Sequence, residues 1–201
     1  VALNRIYDQS PSRILGSLSA NGNIYLINPS GIVFGEGAQV NVGGLVASSL
    51  NISDADFLAG KYIFSSTGTA GDVINRGSIN ANGGVVALLA PKAINEGSIT
   101  ANGGSVILGA GNQVTLDFQG DGLITYTIDQ GAVDALAENK GLIKADGGLV
   151  VMSAKAADSL TSAVVNNKGV IEAQTLENKS GKIMLMSDMA SGTTVVDGKL
   201  D

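Results

Sequence analysis

The sequence predicts an all-β fold: a right-handed parallel β-helix, a solenoid of short strands, with hairpin or antiparallel excursions leaving its wall. Three observations carry this expectation. A unit close to 20 residues long repeats, and residues 74–91 (INRGSINANGGVVALLAP) and 94–111 (INEGSITANGGSVILGAG) are identical at twelve of 18 aligned positions. Such a period marks a solenoid, because one unit cannot bury its own apolar face and must stack on the next. Glycine supplies 28 of 201 residues against 3 prolines. It punctuates short apolar runs, which suits turns and defeats helices, since each interior glycine costs a helix about 1 kcal/mol. Charged residues are only 15% of the chain, where about 25% is usual, as suits side chains that stack in ladders.

Taken along the chain, 20–22 (ANG) and 42–47 (VGGLVA) are early pieces of the repeat, and 53–64 (SDADFLAGKYIF) reads as a loop followed by a strand. Each unit is expected to hold two or three short strands, such as 78–81 and 85–89 in the first full copy, split by Asn/Asp-Gly turns. The pattern G-x-I-x-A puts Ile79 with Ala81, and Ile99 with Ala101, on one face. A third copy, 138–155 (ENKGLIKADGGLVVMSAK), does the same with Ile143 and Ala145. Stacking the copies sets Ile over Ile and Ala over Ala. Asn75, Asn95, Asn139 and Asn167 recur at one position of the unit, which predicts a structural role as an amide ladder or a left-handed turn. The period breaks at 112–136, where 114–118 and 123–128 alternate around Gly120-Asp121-Gly122. That pattern predicts a β-hairpin off the wall, followed by a short helical turn at 129–139. A second break, 154–165 (AKAADSLTSAVV), tolerates helix, and a weaker fourth copy starts at Asn167. The expectation is one β-helix domain over 1–201, a piece of something longer, with excursions near 53–64, 112–138 and 154–166. Roughly nine turns at about 4.8 Å each would make a rod on the order of 40 Å long.

Composition narrows the chemistry. Cysteine, histidine and tryptophan are absent, which removes disulfides, Cys/His zinc sites and Cys- or His-based catalysis within this chain. Net charge is −6, and no Lys or Arg occurs over 14–60 or 93–139. No cationic stripe is available for nucleic acid, so none is expected as a partner. Parallel β-helices include polysaccharide lyases and hydrolases, which need clustered carboxylates. The candidates are Asp54 with Asp56, and Asp117, Asp121 and Asp129 around the hairpin. Asp54 and Asp56 lack stacked counterparts in the repeat, and Asp121 sits in G-D-G as an ordinary turn residue. No catalytic residue, metal site or cofactor is expected. No window of 18 apolar residues occurs, so no helix would span a bilayer.

The most specific stretch is 18–50, LSANGNIYLINPSGIVFGEGAQVNVGGLVASSL. It contains Asn28-Pro29-Ser30-Gly31-Ile32, approached by Asn23-Ile24-Tyr25-Leu26-Ile27 and left through Val33-Phe34-Gly35. This stretch resembles the haemagglutination-activity region of bacterial exoproteins of two-partner secretion, such as filamentous haemagglutinin, large adhesins and contact-dependent inhibition proteins. The family motif has the form N-P-N-G-I, and Ser30 stands here in place of its second Asn. The resemblance extends over the whole chain. It implies a secretion-targeting domain of a Gram-negative exoprotein, an adhesin or haemagglutinin first of all, that crosses the periplasm and is secreted or held at the cell surface. The implied partner is a cognate outer-membrane β-barrel transporter whose periplasmic polypeptide-binding domains recognise the extended chain, with Asn28–Ile32 as recognition or folding motif. The family carries further residues upstream that form a cap. Physically, N-P-S-G is a tight turn in its own right: Pro29 presets φ, Gly31 accepts a positive φ, and Asn28 can bond its own backbone two residues on. Two other readings remain. The domain could bind a host-cell or bacterial-cell receptor directly, with Phe118 and Tyr126 on the exposed hairpin, or it could be a spacer.

Overall fold

A computed structural model describes residues 1–66, 68–118, 124–176 and 178–201. Seven coils of three strands each follow one another. The first is β1 (Ala2–Arg5), β2 (Ser12–Ile14) and β3 (Ser17–Ser19). The second is β4 (Asn23–Ile27), β5 (Ile32–Phe34) and β6 (Gln39–Asn41). The third opens with β7 (Gly44–Ser48), leaves the wall as helix α1 (Asp54–Leu58) and strand β8 (Tyr62–Ser65), and returns as β9 (Val73–Asn75) and β10 (Ser78–Asn80). The fourth is β11 (Val85–Ala90), β12 (Lys92–Asn95) and β13 (Ser98–Thr100). The fifth opens with β14 (Ser105–Ala110), leaves as β15 (Gln113–Phe118) and β16 (Ile124–Gln130), and closes with β17 (Ala135–Asn139) and β18 (Leu142–Lys144). The sixth is β19 (Leu149–Ala154), β20 (Ala163–Asn167) and β21 (Val170–Glu172), and the seventh β22 (Lys182–Met186), β23 (Gly192–Val196) and β24 (Lys199–Leu200).

Strands of equal rank pair in parallel, so the coils form three seven-stranded sheets, β1-β4-β7-β11-β14-β19-β22, β2-β5-β9-β12-β17-β20-β23 and β3-β6-β10-β13-β18-β21-β24. This is a parallel β-helix. At about 4.8 Å per coil, seven coils give a rod of about 34 Å, shorter than the nine-turn expectation because the excursions consume more of the chain. The register is that of the repeat: Ile79 pairs with Ile99, Ile99 with Ile143 and Ile143 with Ile171. All four are fully buried, as are Ala81, Ala101 and Ala145. Each such isoleucine contributes about 1.5–3 kcal/mol of burial. The Gly-Gly corners need no side chain twice over. Gly83, Gly103 and Gly147 hold φ of +75°, +71° and +67°, and a Cβ on Gly104 would strike the backbone carbonyl of Gly84.

The middle of the first sheet, β7, β11, β14 and β19, is buried on both faces. Val86, Leu88 and Ala90 point into the solenoid, while Ala87, Leu89, Ile107 and Val151 belong to a second core outside it. That second core is covered by a three-stranded antiparallel sheet, β16-β15-β8. Double burial explains why β11 (VVALLA) and β14 (SVILGA) read as continuous apolar runs rather than alternating ones.

Three local expectations need correcting. The short helical turn at 129–139 is not present, because β16 runs to Gln130 and β17 begins at Ala135 and pairs with β12 and β20. The departures expected over 112–138 and 154–166 therefore end sooner, since β17 and β20 return to the second sheet. The loop expected within 53–64 contains helix α1, capped by Ser53, whose side chain accepts from the Asp56 amide. The hairpin tip with Asp121 lies outside the described residues.

Candidate functional site

The Asn28–Ile32 motif forms the corner between the first and second sheets in the second coil. β4 ends at Ile27 because the chain must turn. The Gly31 amide donates to the Asn28 carbonyl at 2.9 Å, closing a four-residue turn, and Gly31 holds φ +109°. The Asn28 side chain joins this turn to the preceding coil. Its Oδ1 accepts from the Ser30 amide at 2.9 Å, and its Nδ2 donates to Ser12 Oγ at 2.8 Å and to the Ser10 carbonyl at 3.1 Å. Ser30 Oγ donates to the Asp8 carbonyl at 2.9 Å. On the other side, the Gly71 amide donates to the Pro29 carbonyl at 2.8 Å and the Ile32 amide to the Asp72 carbonyl at 3.0 Å. A Cβ on Gly71 would strike the Ser30 carbonyl, and one on Gly31 would sit 2.8 Å from the Asp72 oxygen.

Asn28 and Ile32 are fully buried, Ser30 is half-buried and Pro29 is exposed. The motif is thus the middle layer of three stacked corners. Sequence reasoning found the turn and missed its partners, Asp8, Ser10, Ser12 and Gly71, because nothing local to N-P-S-G says which residues one coil away it will meet.

The recurrent asparagines lie at the corner between the second and third sheets. Asn75 Nδ2 donates to Asn95 Oδ1, Asn95 Nδ2 to Asn139 Oδ1, and Asn139 Nδ2 to Asn167 Oδ1, each at 2.8 Å. All four are fully buried. Among the described residues Asp134 is the one non-glycine with positive φ, so these asparagines form an amide ladder and do not adopt the left-handed conformation. Asn75 Oδ1 also takes the Gly77 amide, and the Phe34 backbone precedes Asn75 in register. Beside the ladder, Arg76 pairs with Glu96 at 2.7 Å, and Lys140 bridges Glu96 and Glu138. The Arg76 hydrogen bond holds the Glu96 carboxyl below its usual range.

Phe118 and Tyr126 do not form a free aromatic platform. Phe118 meets the Tyr62 ring edge-on at 4.8 Å, and Tyr62 stacks on Tyr25 at 5.6 Å, with Phe57 edge-on to both. This cluster fastens the antiparallel sheet and α1 to the first sheet. Tyr126 lies over the first sheet, its hydroxyl 3.7 Å from Met186 Sδ. The acids have structural partners too: Asp54 pairs with Arg5 at 2.8 Å, Asp56 accepts from Ser53 Oγ at 2.6 Å, and Asp129 accepts from Thr115 Oγ1 at 2.6 Å. No group of three or more potential metal ligands occurs among the described residues, and no helix among them is long and apolar enough to cross a membrane.

Comparison with known proteins places this geometry. The chain is 33% and 36% identical to two heme/hemopexin-binding proteins of Haemophilus influenzae, across 94% of its length in each case. It spans only 22% and 21% of those relatives. The crystal structure of the HMW1 secretion domain from Haemophilus influenzae matches it with a TM-score of 0.82 at 30% identity, over 98% of this chain and 51% of that one. The family model of the TPS (two-partner secretion) secretion domain matches residues 1–200. The chain therefore belongs to the TPS secretion domain family, a secretion domain of an exoprotein served by an outer-membrane transporter and not an enzyme.

Proposed function

We propose that this domain targets its parent exoprotein to a cognate outer-membrane β-barrel transporter, whose periplasmic domains bind the chain while it is extended. The domain then winds at the cell surface and nucleates the β-helix. The observation that supports this order is the burial of Asn28. Once the coils have stacked, both its amide hydrogens and its carbonyl oxygen are engaged within the chain, and the motif offers a receptor little more than Pro29 and part of Ser30. A transporter that reads the whole motif reads it before folding. Asn28–Ile32 then serves twice, as a recognition segment when extended and as the lock between the first three coils when wound.

The test is export. The domain, with a signal peptide and upstream cap, is co-expressed with and without its transporter, and medium and periplasm are assayed. Transporter-dependent appearance in the medium is the expected result. Asn28→Ala should reduce it, and Ser30→Ala, which leaves the Asn28 contacts in place, should reduce it less. Export without the transporter, or unchanged export of Asn28→Ala, overturns the reading.

For the parent exoprotein we propose two alternative activities. The family resemblance favours an adhesin or haemagglutinin acting on a host or neighbouring-cell receptor. The two heme/hemopexin-binding relatives favour haem or hemopexin capture by the parent. Retention of the full-length parent on immobilised hemopexin, set against its adherence to host cells, separates the two.

A further inference from the structure

The antiparallel sheet stops short of covering the first sheet. Its order is β16-β15-β8, so among the described residues β16 is paired on one side only. Beyond that free edge lies a groove of about 780 Å³, walled by Ile124, Thr125 and Tyr126 of β16 and floored by Leu149, Val151, Met184 and Met186 of the first sheet. Met184 and Met186 are 41% and 38% exposed, so the apolar floor continues past the cover. A free edge beside an open apolar floor is a place for one more strand.

Two further features select the occupant. Lys155 Nζ donates to the carbonyls of Ile128 and Asp129, which blocks the far end of the β16 edge and leaves 124–127 open. Lys179 and Lys182 both line the groove, and neither has an ion-pair partner among the described residues, in a chain of net charge −6. Among the described residues the groove therefore combines unpaired backbone groups, an apolar floor and two cations without an ion-pair partner.

We infer that this groove accepts an extended polypeptide strand from another protein, added beside β16, with apolar side chains at alternate positions on the methionine floor and carboxylates against Lys179 and Lys182. Backbone pairing along 124–127 supplies register, and side-chain alternation supplies the two faces.

The probe is a synthetic peptide with two aspartates followed by alternating valine and threonine, titrated into the folded domain by fluorescence anisotropy. Hydrogen exchange of the 124–127 amides is followed in parallel. Saturable binding with new protection at 124–127 is expected. The Lys179→Glu/Lys182→Glu double variant, whose changes are at exposed positions, should weaken it about tenfold. Met184→Asp should weaken it as well. A peptide N-methylated at alternate residues should lose binding, because strand pairing needs its N–H groups. Three results overturn the inference: no binding, equal binding of the N-methylated peptide, or displacement of the peptide by laurate without change in protection at 124–127. The last would identify a site for small amphipathic anions.

Discussion

Asn28 reaches back one full coil to Ser12, its Nδ2 donating to the serine hydroxyl at 2.8 Å while its Oδ1 holds the Ser30 amide within its own turn. Two coils are thereby joined by one fully buried side chain. Asn28→Ala leaves the Ser30 amide and the Ser10 carbonyl without these partners and should cost about 1–3 kcal/mol. Asn28→Asp should cost at least as much, since it keeps the Ser30 contact but turns a carboxylate toward the Ser10 carbonyl in a buried site. Urea unfolding of the two variants beside the parent domain checks both the size and the order.

The amide ladder should be most sensitive in its middle. Asn95→Leu deprives Asn75 Nδ2 of its acceptor and Asn139 Oδ1 of its donor, because both bonds run through Asn95. Asn75→Leu strands Asn95 Oδ1 and the Gly77 amide, at the end of the row. Both should destabilise, Asn95→Leu by about 2–4 kcal/mol and by more than Asn75→Leu, because a broken row loses its mutual polarisation. Chemical denaturation of the two single variants distinguishes this from independent contacts, which would cost the same.

Gly71 is silent in the sequence and decisive in the corner. Its amide bonds the Pro29 carbonyl, and any Cβ would run into the Ser30 carbonyl. Gly71→Ala should therefore push the third coil away from the motif, at a cost of about 2–4 kcal/mol. Gly68→Ala, where nothing lies within 4 Å of the added carbon, is the control and should be near neutral. Thermal melts of the pair isolate the steric effect from the entropy of losing a glycine.

These cases show where the sequence speaks and where it falls silent. The repeat made the stacking of Ile79, Ile99 and Ile143 legible, since identical units one coil apart have only one register that keeps isoleucine inside. The hairpin at β15 and β16 was legible from alternation. The small helix α1 was not read, although Ser53 followed by Asp54 and Asp56 is a helix-start pattern; its five residues are too short for periodicity to register. The expected helical turn at 129–139 failed because local tolerance for helix was overridden by pairing of β17 with both neighbouring coils. The aromatic cluster was also missed. Tyr25, the Phe57–Tyr62 segment and Phe118 lie far apart in sequence, and only the fold-back of the antiparallel sheet brings them together. Phe118, read as part of an exposed binding hairpin, became a packing residue for that reason.

Phe118 therefore makes a prediction that separates packing from binding. Phe118→Ala removes the edge-on contact with Tyr62 and should loosen the antiparallel sheet by about 1–2 kcal/mol. The solenoid beneath should persist, because its inner core is a separate cluster. Hydrogen exchange should accelerate in β15 and β16 and stay unchanged in β12 and β17. Uniform acceleration throughout would mean that the two cores unfold as one unit.

Alkaline pH tests the same cluster through Tyr25. Burial first, and the neighbouring Tyr62 second, raise its phenol well above the ordinary value of 10.0. The unfolded chain thus releases this proton at a lower pH than the folded one. Above pH 10 the folded state holds more protons than the unfolded state, so stability falls as pH rises through the window between the two values. Below pH 10 both states keep the proton, and the phenol contributes no slope. Tyr25→Phe removes the ionisable group while keeping the ring against Phe57 and Tyr62. Its unfolding free energy should decline less steeply above pH 10 than that of the parent domain. Urea titrations at pH 8, 10 and 11 measure the difference, and parallel slopes would show that Tyr25 ionises as freely in the folded domain as in the unfolded chain.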